Sequence, residues 1–291
     1  CIPSIEKYTK CKHKIYVVAY MFSKENLAEL KTKYPQVVIV ESNEIRGFSE
    51  NNNLALKQVT SEFVFIQNDD TEYKEPVLDK LLEAYKKTSK ATIMAPKLLL
   101  GNGTTQFCGI RKFDFLTFIL ATCGIHKLSK SIFENGSGIF KTYNVSGAAF
   151  LIKTADFRKI DFFDERYFFS PEDIAVSTRI NKEGGSCYTD ANTCIVHYHG
   201  VSSKKTKLFY ATTCATFLGN YIFYCDNIIK QAVYKSLLYL KYGVMNFMNA
   251  IHQTDHRQDY LYIYKKVLQA ISLKMSPKDI FLEEYNRVKS K

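Results

Sequence analysis

Short apolar, β-branched runs alternate with runs at helical spacing through the first two-thirds of the chain. Residues 14–19 (KIYVVA), 36–41 (QVVIVE), 62–67 (EFVFIQ) and 91–96 (ATIMAP) predict four strands. Between them, SKENLAELKTKYP predicts a helix with Ser23 near its cap and Pro35 at its end. SENNNLALKQV predicts a second helix, capped by Ser49, and EPVLDKLLEAYKKT a third, begun at Pro76. Strand and helix in alternation predict an α/β fold, a mainly parallel sheet with helices on both faces. In such sheets ligands bind beyond the carboxyl ends of the strands. Asn68-Asp69-Asp70 stands at such an end.

Residues 101–142 are rich in Gly, Phe and Lys and predict an irregular surface segment around an acceptor. NVSGAAFLIKTADFRKI then predicts a turn, a strand and a short helix. In YFFSPEDIAVSTRINKEGG (167–185), Ser170 reads as an N-cap, Pro171 as the first helical residue and Asp173 as the acid of a capping box. SCYTD and CIVHYHGVSS predict two more strands. From about Lys204 the pattern changes to helical spacing of apolar and aromatic residues, predicting three or four helices, the last begun at SPKD (276–279).

With 291 residues, 46% of them hydrophobic, the chain can bury a sizeable core, and wholesale disorder is excluded. The net charge of +11 suits an anionic partner. The charge is spread along the chain without an Arg-rich arm or zinc-finger spacing, which argues against nucleic acid. The eight cysteines form no C-x-x-C pair and read as structural thiols. Between 204 and 251 the only acid is Asp226, against Lys204, Lys205, Lys207, Lys230, Lys235 and Lys241. That imbalance predicts either an interfacial amphipathic helix on an anionic membrane surface or a bundle packed on the main domain. A membrane-spanning helix is not predicted, because Thr, Asn, Gly and Tyr dilute the apolar residues.

Three places carry candidate chemistry. Oxygen ligands at a strand end, as in Asn68-Asp69-Asp70, suit a hard divalent cation, although Asn and Asp are also ordinary turn residues. His197 and His199 alternate on one strand, so one of them faces a given side, as a metal ligand or as a core residue. Asp173, at a predicted helix start, is either a cap or a working carboxylate, with Glu172 beside it.

Taken in order, GFSENNN, FVFIQNDDTEYKEP, VSGAAFLIKTADFRKIDFFDERYFFSPEDIAVSTRINKEGG and IVHYHGVSS resemble glycosyltransferase family 2 over roughly residues 1–205. Within that family the chain is most similar to the rhamnosyltransferase-like branch that builds bacterial surface polysaccharides. The resemblance implies a GT-A fold: a Rossmann-like mixed sheet with helices on both faces (1–205), followed here by a C-terminal helical region (206–291). It also implies inverting transfer from a nucleotide-diphosphate sugar to a glycan or lipid-linked acceptor. A divalent metal, Mg²⁺ or Mn²⁺, would serve as cofactor. The protein would be cytoplasmic and peripheral on the inner face of the membrane.

Residue by residue, Asn68 and Asp70 match the family's D-x-D-like metal and diphosphate motif, with Asp69 between them. Asp173 matches the acid that serves as general base, and Glu172 is the next candidate. His197 matches the histidine that completes the metal site. Gly147 and Ala148 match a loop lining the sugar site, Asn53 an Asn near the nucleotide. Arg179 matches an Arg on the following helix, for which a structural ion pair is an equal reading.

The chain also departs from the pattern. Ala19-Tyr20 stands where the family has an acid that reads the nucleotide base, and Ala175 where it has a second acid after Asp173. CIPSIEKYT matches the end of the family's first helix, so a strand ahead of it is expected to be missing. These departures keep open a non-catalytic, glycosyltransferase-like binding or scaffold subunit. A nucleotidyltransferase is the weaker third reading, since no Gly-rich phosphate loop stands near the N-terminus.

Overall fold

The computed structural model describes residues 1–125, 136–198 and 208–289. Two compact units divide it: Cys1–Phe113, Lys130–Asp164 and Glu172–Val201 form the first, and Asp114–Ser129, Glu165–Pro171 and Ser202–Lys291 the second.

The first unit opens with α1 (Ile2–Tyr8), followed by β1 (Tyr16–Tyr20), α2 (Lys24–Lys33), β2 (Val38–Ser42) and α3 (Phe48–Leu56). Next come β3 (Phe63–Gln67), β4 (Thr71–Glu72), α4 (Val77–Lys87) and β5 (Ile93–Leu99). Ser23 caps α2 as expected, its hydroxyl accepting the Asn26 N–H at 3.2 Å. The cap of α3 is Gly47, whose N–H donates to Glu50 at 3.1 Å. Ser49, the expected cap, lies inside that helix and is buried.

The segment expected to be irregular contains β6 (Thr105–Phe107), α5 (Phe115–Thr122) and β7 (Ile139–Thr142), with α5 in the second unit. After them come β8 (Ala149–Lys153), α6 (Thr154–Lys159), α7 (Glu172–Lys182) and β9 (Cys187–His197). The two strands expected around 186–203 are one strand, β9. Its pairing with β5 slips between Asp190 and Cys194, and Asp190 accepts from Asn192 N–H and Thr193 Oγ1 across the irregularity.

The sheet is mixed, as the resemblance implied, rather than mainly parallel, as the alternation of elements alone predicted. β1 and β2 run parallel in a sheet of their own. Seven strands form the other sheet, in the order β3-β8-β5-β9-β4, with β6 beside β5 and β7 beside β9. Within it, among the described residues, only β5 and β9 are parallel. Alternate residues of its central strands feed two cores. Ile93, Phe150 and Ile152 face Phe157, Val176 and Ile180; Met94, Ala149 and Leu151 face Val77, Leu81 and Tyr85. Burial on both faces explains why these strands read as continuous apolar runs.

The second unit gathers α5 with α8 (Phe209–Tyr224), α9 (Ile228–Ile251), α10 (Asp255–Ser272) and α11 (Pro277–Lys289). Ser276 and Asp279 exchange hydrogen bonds at the start of α11, the stop-and-start expected at SPKD. Among the described residues no helix is long and apolar enough to cross a membrane. All eight cysteines are free, and burial pushes the Cys187, Cys214 and Cys225 thiols up to about 12, in keeping with structural thiols.

Candidate active site

The turn 68–70 joins β3 to the two-residue β4, and β4 pairs antiparallel with the end of β9, Thr71 opposite His197. That register sets Asp70 beside His197: the His197 Nε2 lies 3.1 Å from Asp70 Oδ1 and 3.5 Å from the Asn68 amide nitrogen. The turn is held by Thr71 Oγ1, which donates to the Asn68 carbonyl at 2.7 Å. His197 is only 5% exposed. Asp69 points outward and is exposed. His199 lies outside the described residues.

Sequence reasoning missed Gln106, on β6. Its Oε1 lies 2.9 Å from His197 Nδ1; a proton on Nδ1 makes this a hydrogen bond and turns the Nε2 lone pair toward Asp70. Asp70 Oδ1 is buried without a hydrogen-bond partner. Two lone pairs 3.1 Å apart repel unless a proton or a cation lies between them. Carboxylate, imidazole and amide together form a donor set suited to Mn²⁺ or Mg²⁺. The Asn68 amide offers its oxygen at the same place when its plane is turned over. Among the described residues there is no group of three His, Cys, Asp or Glu side chains placed to hold a metal. The amide of Asn68 is therefore needed to make a third ligand.

Backbone bonds tie this turn to Asp173. The Asn68 N–H donates to the Ala148 carbonyl at 3.0 Å, continuing the β3–β8 ladder, and the next N–H back, that of Gly147, donates to Asp173 Oδ2 at 3.0 Å. Asp173 Oδ1 accepts from Ile174 N–H at 2.7 Å. A Cβ placed on Gly147 would touch Asp173 Cβ at 3.4 Å, so the loop lies directly on the carboxylate. Helix α7 begins at Glu172, after a cis Ser170-Pro171 bond. The expected capping box is thus not built. The helix starts two residues after Ser170, and the Asp173 oxygens go to Gly147 and Ile174.

Burial pushes the Asp173 carboxyl above its ordinary range, and the N–H groups of Gly147 and Ile174 oppose that rise. Burial and then the adjacent Asp173 charge push Glu172 well above the ordinary range. Glu172 Oε2 is buried with no partner, whereas both Asp173 oxygens accept N–H bonds. The pair therefore separates into a protonated Glu172 and an anionic Asp173, the arrangement by which adjacent acids take different roles.

Two expected site residues go elsewhere. Asn53 is 3% exposed and brackets the backbone of Phe163, donating to its carbonyl at 2.9 Å and accepting its N–H at 3.1 Å. The Arg179 guanidinium donates to the carbonyls of Ile160 and Phe162. Both fix the loop between α6 and α7, and neither joins the group around Asp70 and Asp173. For Arg179 these bonds accord with the structural alternative. Ala19 and Ala175, the departures from the family pattern, are core residues at 1% and 2% exposure. A cavity of about 260 Å³ lined by Glu62, Phe63, Tyr85 and Lys153 lies at the start of β3. That is the other end of the strand from Asn68, and none of the candidate residues lines it.

Residues 22–111 match the family model described as glycosyl transferase family 2. No curated protein matches the chain. Among solved structures, the chain is similar to GalNAc-T7 crystallised with UDP, GalNAc and Mn²⁺, at 13% identity and a TM-score of 0.54 over 72% of this chain. The chain spans 43% of the length of that protein. It also aligns with the mannosyltransferase PcManGT from Pyrobaculum calidifontis in complex with GDP-Man and Mn²⁺. There the identity is 14% and the TM-score 0.48, over 94% of this chain and 83% of that one. The fold is that of the GT-A glycosyltransferases, with a C-terminal helical region added.

Proposed function

We propose that this protein is an inverting, metal-dependent glycosyltransferase that moves a sugar from a nucleoside-diphosphate donor to an acceptor hydroxyl. One observation carries the reading. A single loop, Gly147-Ala148, takes the Asn68 N–H on one side and gives an N–H to Asp173 on the other. A candidate base and a candidate metal site are thereby fixed to the same end of the sheet, where ligands bind in this class of fold.

In this mechanism Asp173 accepts the acceptor's hydroxyl proton as that oxygen attacks the anomeric carbon. The new carbon–oxygen bond forms on one face while the bond to the diphosphate breaks on the other, through an oxocarbenium-like state. Glu172 keeps its proton and adds no second charge beside the base. Asn68, Asp70 and His197 would hold a divalent cation, with Gln106 fixing the histidine ring. Such a cation neutralises the charge of the departing diphosphate. Asp69, exposed on the same turn, is available to the donor.

The finer reading is a rhamnosyltransferase-like enzyme of surface-glycan assembly, acting on a polysaccharide or lipid-linked acceptor at the cytoplasmic face of the membrane. It rests on the order of motifs and on the excess of lysine over acid in residues 204–251. A second reading, a non-catalytic binding subunit, is favoured by Ala175, where the family has another acid.

The test is release of nucleoside diphosphate from UDP-, dTDP- and GDP-sugars, with Mg²⁺, with Mn²⁺ and with a chelator. Metal-dependent release from one of them is the expected result. Specific binding of a nucleotide sugar, without release under any condition, would establish the second reading.

A further inference from the structure

The outward face of α9 carries no charge at all. Its exposed positions are Ile, Ala, Val, Ser, Tyr, Leu, Gly, Asn, Phe and Met. Ile229, Val233, Leu240, Val244, Phe247 and Ile251 recur at helical spacing and are 44–73% exposed, so they form one stripe. The opposite face packs within the second unit through Tyr234 and Leu238, which are 1% and 0% exposed. At 24 residues the helix is about 36 Å long, and the stripe runs nearly its full length. An apolar surface this continuous on a folded protein marks something that covers it.

Charge decides between the candidate covers. Helix α9 contains Lys230, Lys235 and Lys241 and no acid. A second copy docked by a two-fold axis would set the same face against itself and bring these lysines together with no carboxylate on either side. A bilayer rich in anionic lipid presents the complementary charge, and the whole chain carries +11. Lys235 is the most available of the three, because Lys230 pairs with Asp226 at 2.8 Å and Lys241 donates to the Thr122 carbonyl. The helix is not apolar enough to span a membrane, which leaves the interfacial plane.

We propose that α9 docks on an anionic lipid surface, its axis in the plane of the headgroups and its stripe from Ile229 to Ile251 inserted. This deepens the membrane-face location in the reading above by assigning it to named residues. Its readout needs neither donor nor metal, so it can fail while glycosyl transfer stands, and the reverse.

The experiment is co-sedimentation of the intact protein with vesicles of phosphatidylcholine alone and of phosphatidylcholine mixed with phosphatidylglycerol. Binding to the anionic vesicles, weakened by added salt, is expected. The double variant Leu240→Glu/Phe247→Glu should lose that binding by about a hundredfold or more, since each inserted side chain is worth about ten- to a hundredfold in partitioning. Its melting temperature should stay that of the parent, because both positions are more than 60% exposed. Lys235→Gln should weaken binding to the anionic vesicles alone. The proposal is overturned by absence of binding, by equal binding to both vesicle types, or by binding that survives the double substitution. It is equally overturned by a concentration-dependent dimer that the double variant abolishes in a protein indifferent to vesicles, which would give the face to a second copy.

Discussion

Glu172 and Asp173 are adjacent in sequence, and what surrounds their oxygens sets their protonation. Two N–H donors stabilise the Asp173 anion, while Glu172 leaves a buried oxygen with none. The folded-state pKa of Glu172 lies above its unfolded value, so the native state holds the extra proton. That contribution to stability is complete below the unfolded value of about 4.3 and is lost as pH rises through the folded one. In a urea midpoint measured across that window, Glu172→Gln should flatten the decline seen in the parent. An unchanged slope would mean that Glu172 is ionised in the fold. Gln106 acts through a neighbour. Losing the partner of a metal-bound histidine costs roughly 10- to 100-fold in affinity, so Gln106→Leu should weaken Mn²⁺ binding by that order in a spectroscopic titration of the free ion. Affinity equal to the parent's would remove Gln106 from the site. The carboxylates were legible in the sequence because Ser-Pro-Glu-Asp ahead of an apolar run marks a helix start. Gln106 was not, since a lone glutamine in a Gly- and Phe-rich stretch has no pattern, and only the pairing of β6 with β5 brings it to His197. Asn53 and Arg179 were assigned to the site by position in a motif. Their side chains instead satisfy backbone groups of residues 160–163, a demand that sequence does not display.

Secondary elements were legible where periodicity was long and blurred where tertiary contacts set the ends. The pattern marked β3, β5 and α4 to within a few residues, because each buries one stripe or two faces at its natural period; α2 buries no residue and was marked by the Ser23 cap and Pro35. The break read between SCYTD and CIVHYHGVSS is a bulge: polar residues 191–193 suggest a turn, yet the strand continues along β5 on both sides of them. The entry to α7 was misread for a similar reason, since Ser170 fits a capping rule while the chain there is governed by packing in the second unit. Gly219 of α8 lies against that segment, and a Cβ on it would meet the Ser170 carbonyl oxygen at 2.2 Å. Gly219→Ala should therefore cost about 1–3 kcal/mol, as overpacking does. At roughly 2–4 °C per kcal/mol the loss should be visible in a melting curve. A variant that melts with the parent would show that the backbone at Ser170 yields freely.

At the scale of the whole molecule, two units divide the work. The first carries a mixed sheet whose β3 end, β9 end and α7 start are drawn together by the Gly147-Ala148 loop. The second carries helices, among them the uncharged face of α9. The alternation of strand and helix patterns made the α/β class legible. The mixed sheet followed from the resemblance and not from the periodicity, because strand direction depends on pairings between distant segments such as β3 with β8. The central claim is that Asp173 takes the acceptor's proton. Its most direct test is the transfer rate of Asp173→Asn, measured with the donor identified by nucleoside-diphosphate release. Asn keeps the shape of Asp but only one acceptor oxygen, so one of the N–H bonds from Gly147 and Ile174 is lost; at about 1–3 kcal/mol for that loss the melting temperature should fall by several degrees and the variant should stay folded. A general base contributes about 10²- to 10⁴-fold, and the rate should fall by that order with donor affinity unchanged. A variant that transfers sugar at the parental rate would contradict the account and leave Asp173 only its hydrogen bonds to Gly147 and Ile174.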